Sequence, residues 1–220
     1  MTPVLVLFRA VGYGLLLLTL FDVISALVPL QLSDPGWQFQ TAGGFVERSA
    51  VPLLGFILVF YEEREARKER ELLVLKLLSW VALLAGVFYF ALVIVLFITP
   101  PTLSKNNEDQ VKAQLAPRIA QAQQITAQLQ KAQPSQIEAL MKSGNVATGT
   151  DPQAFKSELI EQAATAEKNF TAQASITNES QRLALFKNAV KWGLGALVTG
   201  VLFIRIWAGT AWARLYMPGD

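Results

Sequence analysis

Residues 4–30 are apolar almost throughout, with Arg9 and Asp22 as the two charged interruptions. No strand runs to that length, and a helix apolar on all sides must be hidden from water. A bilayer core of roughly 30 Å is spanned by about 20 helical residues, so this segment predicts a transmembrane helix. A cleaved signal peptide is the rival reading. Against it stand the length of the apolar run, the scarcity of basic residues before it, and Ile24 where a small residue should precede Ser25-Ala26. An uncleaved span is the expectation.

Three further apolar blocks follow. Residues 50–61 are too short to cross alone, about 18 Å at helical rise. A spanning helix here has to begin near Gly43 or Gly44, giving a second span over 44–61 with Pro52 in its first turns, where a missing N–H costs least. A re-entrant segment is the alternative. Residues 72–98 form the third span, which Pro100-Pro101 is expected to stop. Residues 190–212 form the fourth, with Trp192 at one interface and Trp207 and Trp212 at the other. Ala82-xxx-Gly86, Ala189-xxx-Gly193 and Ala196-xxx-Gly200 offer small-residue faces for close helix packing. Gly12-x-Gly14 lies inside the first span and predicts packing, since a nucleotide fingerprint needs a strand before it and a loop around it.

The chain of 220 residues is 52% hydrophobic and 16% charged, with a net charge of +2 and neither Cys nor His. That composition excludes disulfides, thiolate nucleophiles and His-ligated metals, and it gives no basic stripe for nucleic acid. No cofactor or metal site is expected, and the chain is not expected to be an enzyme. The loop "EEREARKERE" (62–71) holds Arg64, Arg67, Lys68 and Arg70, whereas the loop around 31–48 holds Arg48 alone. The positive-inside rule then places both termini in the cytoplasm and residues 99–187 on the opposite side.

Those residues are polar and rich in Ala, Gln and Lys. Val111, Leu115, Ile119, Ala122, Ile125 and Leu129 recur at helical spacing, as do Phe155, Leu159, Ala163, Ala166, Phe170 and Ala174. Breaks fall at "KAQPSQ" and "KSGNVATGTD", Asp151-Pro152 reads as a helix start, and Pro117 should open or kink an arm. The expected fold is thus an all-α integral membrane protein. It has a membrane domain (1–98, spans near 4–30, 44–61 and 72–98), a helical hairpin (99–187), and a fourth span with a short tail (188–220). The second arm is free to run unbroken into the fourth span. The narrow Ala-rich seam leaves the hairpin open to partners, including a second copy of the chain.

Asp22 is the costliest residue to place, and an acidic group at such a depth normally finds a partner. Arg48 is the natural one, as an intramembrane structural pair. A proton-handling or transport role for Asp22 is the competing reading. Lys76 and Ser79 stand one turn apart and have the spacing of a Ser–Lys dyad, against the simpler reading of a lysine reaching lipid phosphate. In the stretch 34–55, Asp34-Pro35-Gly36 reads as a turn. Trp37 and Phe39 alternate with Gln38 and Gln40, so an extended segment would set the aromatics on one face. Gly43-Gly44 supplies a bend. Trp37, Phe39, Gln40 and Glu47 are therefore expected in an interfacial or partner-contact loop.

Two segments carry a resemblance. "PGWQFQTAGGFVERSAVPLLGFILVFYEE" follows "RAVGYGLLLLTLFDVISALVP", and together they resemble the cyanobacterial HpsJ-like family, named for hormogonium polysaccharide biosynthesis. The family pattern is Pro-x-Trp-Glu-Phe-Gln-Thr, then Val-Glu-Arg, then Val-Pro-Leu-Leu-Gly. Here Trp37, Phe39, Gln40, Thr41, Val46, Glu47, Arg48 and Val51 to Gly55 match, while Gln38 stands in place of Glu. The likeness is close over residues 9–98 and one of general character beyond. It implies a plasma- or thylakoid-membrane protein linked to surface polysaccharide or its export, and it names no catalytic residue. An accessory or scaffolding subunit, in contact with lipids and other membrane subunits, is the expected role. The alternative is an accessory subunit or assembly factor of a photosynthetic or respiratory thylakoid complex.

Overall fold

A computed structural model describes residues 3–61, 69–143 and 151–215. Among them every regular element is a helix: α1 (Pro3–Leu27), α2 (Pro35–Glu47), α3 (Ala50–Val59), α4 (Glu69–Lys131), α5 (Pro134–Ser143), α6 (Pro152–Gly209) and α7 (Ala211–Arg214). α1, α4 and α6 are long and apolar enough to cross a membrane, and α2 with α3 makes a fourth crossing if the bent pair counts as one span. The basic loop that set the orientation lies outside the described residues, apart from the start of α4. The chain divides into two units, Met1–Leu103 with Ala184–Asp220, and Ser104–Leu183.

In the first unit, α4 and α6 run antiparallel along a seam of small residues. The buried positions of α4 are 72, 75, 79, 82, 86, 89, 92, 96 and 99. They follow a spacing of threes and fours close to the 3.5-residue period of a coiled-coil seam. Ala82 and Ala196 are fully enclosed. A Cβ on Gly86 would lie 2.9 Å from Ile204 Cγ1, and one on Gly193 would lie 2.7 Å from Phe97. Gly200 faces the carbonyl of Gly86 across the same seam. α3 packs beside this pair through Phe56 against Phe203 (5.6 Å between ring centres). α1 then packs antiparallel on α3, where Gly12 and Gly55 let the backbones close together.

Four expectations are corrected. The helix that leads into the second apolar block does not begin at Gly43 or Gly44 but at Pro35, and residues 35–42 are not extended. Asp34 caps α2 by accepting the Gly36 N–H at 2.9 Å, and Pro35 occupies the first helical position, so the Asp-Pro-Gly turn signal is a helix start. The bend falls at Arg48-Ser49, not at the paired glycines. Pro52 lacks the N–H that would reach the Arg48 carbonyl, and its ring crowds that carbonyl. Val51 N bonds it instead, at 3.2 Å, and α2 and α3 meet at 41°. Finally, Pro100-Pro101 does not stop α4, which continues through Pro117 to Lys131. Proline's φ is already helical. The cost of about 3 kcal/mol is offset where the flanking turn is buried, as at Leu96 and Thr99.

The second unit contains the far half of α4, then α5, and the first part of α6. Asp151 accepts the Gln153 N–H at 3.2 Å as the start of α6. Its enclosed apolar side chains include Ala122, Leu129 and Ile137, a far thinner core than that of the first unit.

Candidate functional site

The stretch Phe45–Ser49 closes α2, turns the bend and makes a dense set of polar contacts between helices. Its backbone is satisfied through the turn: Arg48 N bonds Gly44 O, Ser49 N bonds Val46 O, and Leu53 N bonds Ser49 O, each at 3.2 Å. The side chains are thus free to reach outward, and between them these residues reach α1, α4 and α6.

Phe45 offers its carbonyl to Tyr89 Oη of α4 at 2.9 Å. Val46 packs where a Cβ on Gly195 of α6 would stand, 2.6 Å away. Glu47 Oε1 accepts two hydrogen bonds from α6, from Lys191 Nζ at 2.7 Å and Trp192 Nε1 at 2.9 Å. Arg48 Nη1 lies 3.8 Å from Asp22 Oδ1 of α1, with both side chains more than half exposed. Ser49 Oγ accepts from Thr199 Oγ1 of α6 at 3.1 Å in a buried setting. One turn back, Phe39 is 2% exposed and packs on the Trp192 ring at 5.0 Å. A Cβ on Gly43 would fall 2.5 Å from the same indole.

Trp37, Phe39, Gln40 and Glu47 are accordingly helical, and they do not share one face. Residues two apart on a helix point to nearly opposite sides. Phe39 goes into the core, Trp37 is half-buried and Gln40 is exposed. Asp22 and Arg48 are brought together at a distance longer than a hydrogen bond. The shorter contacts belong to Glu47, whose charge-assisted bonds to a lysine and an indole are the stronger type. Sequence reading missed this pairing. Lys191-Trp192 opens one span and Glu47 precedes another, which would have set them at one membrane level.

A second polar lock ties the opposite end of the same unit. Arg214 Nη1 donates to Ser79 Oγ at 2.6 Å and to the Trp207 carbonyl, and its guanidinium lies 4.4 Å from the centre of the Trp207 ring. Ser79 and Thr210 hydroxyls are 2.8 Å apart. The Ser79 hydroxyl is engaged by these partners, which disfavours the Ser–Lys dyad. Arg9 and Glu71 pair nearby at 3.5 Å, largely enclosed. Among the described residues no group of three or more Asp, Glu, His or Cys could hold a metal ion.

Locks at both ends and a small-residue seam between them define a class: an all-helical protein with three, or counting the bent pair four, helices of membrane-spanning length and composition. The family model described as HpsJ-like protein matches residues 4–211, and the chain belongs to that family. The match takes in the bend, the first lock and the hairpin, and it ends before Arg214 of the second lock. Comparison with curated proteins and with solved structures finds no match.

Proposed function

We propose that this chain is a non-enzymatic accessory or scaffolding subunit of a larger membrane assembly, one that serves polysaccharide synthesis or export. The observation that carries the reading is the bend at Phe45–Ser49. Its charged and polar groups are directed at Asp22, Tyr89, Lys191, Trp192 and Thr199 of the same chain, an arrangement that supports a role in holding helices in place. Family membership supplies the link to polysaccharide.

In this proposal both termini and the 62–71 loop are cytoplasmic, and residues 99–187 face the periplasm or a lumen, following the Lys and Arg asymmetry of the short loops. The chain contains no cysteine, so single cysteines at Gln128 and at Arg64 can be labelled with a membrane-impermeant maleimide in intact cells. Labelling at position 128 alone fits this orientation, and labelling at 64 alone reverses it.

Affinity purification in mild detergent tests the function. Co-purifying glycosyltransferases or polysaccharide-export proteins are the expected result. Pigment or electron-transfer proteins in their place would move the chain to a photosynthetic or respiratory complex. Loss of a transport or catalytic activity in a folded Asp22→Asn protein would overturn the non-enzymatic reading.

A further inference from the structure

Within the first unit, Leu194, Val198 and Val201 of α6 recur at spacings of four and three and are 59%, 61% and 49% exposed. At 100° per residue they lie on the side of the helix opposite the buried Gly193, Ala196, Gly200 and Phe203. Arg205 continues this outward stripe and is itself exposed. It has no hydrogen-bond or ion-pair partner among the described residues. The described acids of the unit are engaged elsewhere. Asp22 faces Arg48, Glu47 holds Lys191 and Trp192, Glu71 pairs with Arg9, and Asp34 caps α2.

The depth of Arg205 selects its counter-ion. With α6 crossing a membrane, as its length and composition suit, Trp192 and Trp212 fall near the two interfaces. Arg205 stands seven residues before Trp212, about 10 Å inside at helical rise. Side chains on a helix lean towards its N-terminus, which for Arg205 is away from the nearer interface. Reaching a lipid phosphate would need the side chain to double back against that lean. A charge left bare in hydrocarbon is costly, and charged residues at such depth pair within the membrane. A second copy of the chain brings no matching acid. A two-fold contact through the stripe would set Arg205 against Arg205. Asp22, through Arg48, stands near the level of Ser49 and Thr199, about 9 Å along α6 from that of Arg205. A helix of a different membrane protein fits, apolar opposite Leu194, Val198 and Val201, with an Asp or Glu for the guanidinium fork.

We propose that the stripe from Leu194 to Arg205 docks a transmembrane helix of a different membrane protein, and that Arg205 bonds a carboxylate on that helix. The inference deepens the accessory-subunit reading and rests on it for the existence of a membrane partner. It does not depend on the process that the partner serves.

The probe is a synthetic transmembrane peptide of about 20 Leu and Ala residues, with a single Asp at the depth of Arg205 and a dansyl group at one end. The full-length chain is reconstituted in phosphatidylcholine liposomes at mildly alkaline pH, which keeps the Asp ionised. Energy transfer from the chain's tryptophans to the dansyl group reads binding. The Asp peptide should bind about tenfold more tightly than its Asn twin, the scale of a polar contact between model helices in lipid. Arg205→Gln should bind the two peptides alike, and Arg205→Glu should prefer a Lys twin. Circular dichroism should show the same helix content in both variants, since Arg205 bonds no other helix. Equal affinity of the wild-type chain for the Asp and Asn peptides, or a preference that survives Arg205→Gln, would overturn the docking. So would a wild-type chain that ignores the Asp peptide and, by native mass spectrometry, retains phosphatidylglycerol through Arg205, which would assign the residue to a lipid phosphate. The peptide result is independent of which proteins co-purify, so this inference and the polysaccharide reading fail separately.

Discussion

α4 and α6 contribute to both units, yet each packs by different rules along its length. In the first unit they meet through Ala82, Gly86, Gly193, Ala196 and Gly200, close enough that Cβ atoms at Gly86 and Gly193 would collide with the facing helix. In the second unit the same helices enclose little more than Ala122, Leu129 and Ile137, and side-chain bonds such as Gln123–Glu167 link them at the surface. The difference follows from the surroundings each composition suits. Lipid gives no hydrophobic drive between helices, so association there depends on close backbone approach and interhelical hydrogen bonds. In water a polar, Ala-rich helix gains little by burial and leaves room for a partner.

Mutation should separate the two regimes. The largest effect is expected at Gly43. Gly43→Leu drives atoms into the Trp192 ring and should cost at least about 1–3 kcal/mol, the range for overpacking a tight core. Gly44→Ala, where a Cβ meets nothing within 4 Å, should be neutral or slightly stabilising. Thermal unfolding in detergent reads both, and equal losses would mean that the Gly43–Trp192 contact does not hold α2 to α6.

Glu47→Gln should lower the melting temperature more than Asp22→Asn. The first weakens two bonds shorter than 3 Å, and the second a single contact at 3.8 Å. The reverse order would make the α1 pair the main tie of the bend. Tyr89→Phe removes the bond to the Phe45 carbonyl and should cost about 0.6 kcal/mol, typical of interhelical hydrogen bonds in membranes.

The smallest effect is expected on the hairpin. The hydrogen bond from Lys112, and then its charge, hold the Glu108 carboxyl below its ordinary 4.5. The same bond raises Lys112 above its ordinary 10.5. The stabilisation from Glu108 is therefore full above about pH 4.5 and fades as pH falls through the lowered value. That from Lys112 is full below 10.5 and is lost as pH rises through the raised one. Helix content followed by circular dichroism should be flat between these limits. Glu108→Gln should remove this pair's share of the change at either end, and an unaltered titration would show that the pair contributes nothing.

Several elements were legible in the sequence for plain physical reasons. Apolar length identifies α1 and the parts of α4 and α6 that are long and apolar enough to cross a membrane, because the bilayer sets a minimum span. Asp151-Pro152 marks the start of α6, because a cap and a proline act locally. The resemblance carried by "VERSAVPLLG" leads to the family that the whole-chain match shows. Other readings failed where local rules compete. Asp34-Pro35-Gly36 serves equally as a turn or a helix start, and the alternation of Trp37 and Phe39 suits a strand. The Asp34 cap starts the helix, and the packing of Phe39 and Gly43 against Trp192 suits it. Pro100-Pro101 was read as a stop on local grounds, and packing along α4 overrides it.

The chain by itself determined its class, its all-helical content and most of its long helices, since these rest on hydrophobic length and on capping residues close in sequence. Tertiary structure decided what each polar residue holds. Glu47 meets Lys191 and Trp192, Ser49 meets Thr199, and Ser79 meets Thr210 and Arg214, across more than 100 residues of chain in every case. No local pattern encodes such a choice, because it depends on which helices share a membrane level and which faces the small-residue seams bring together.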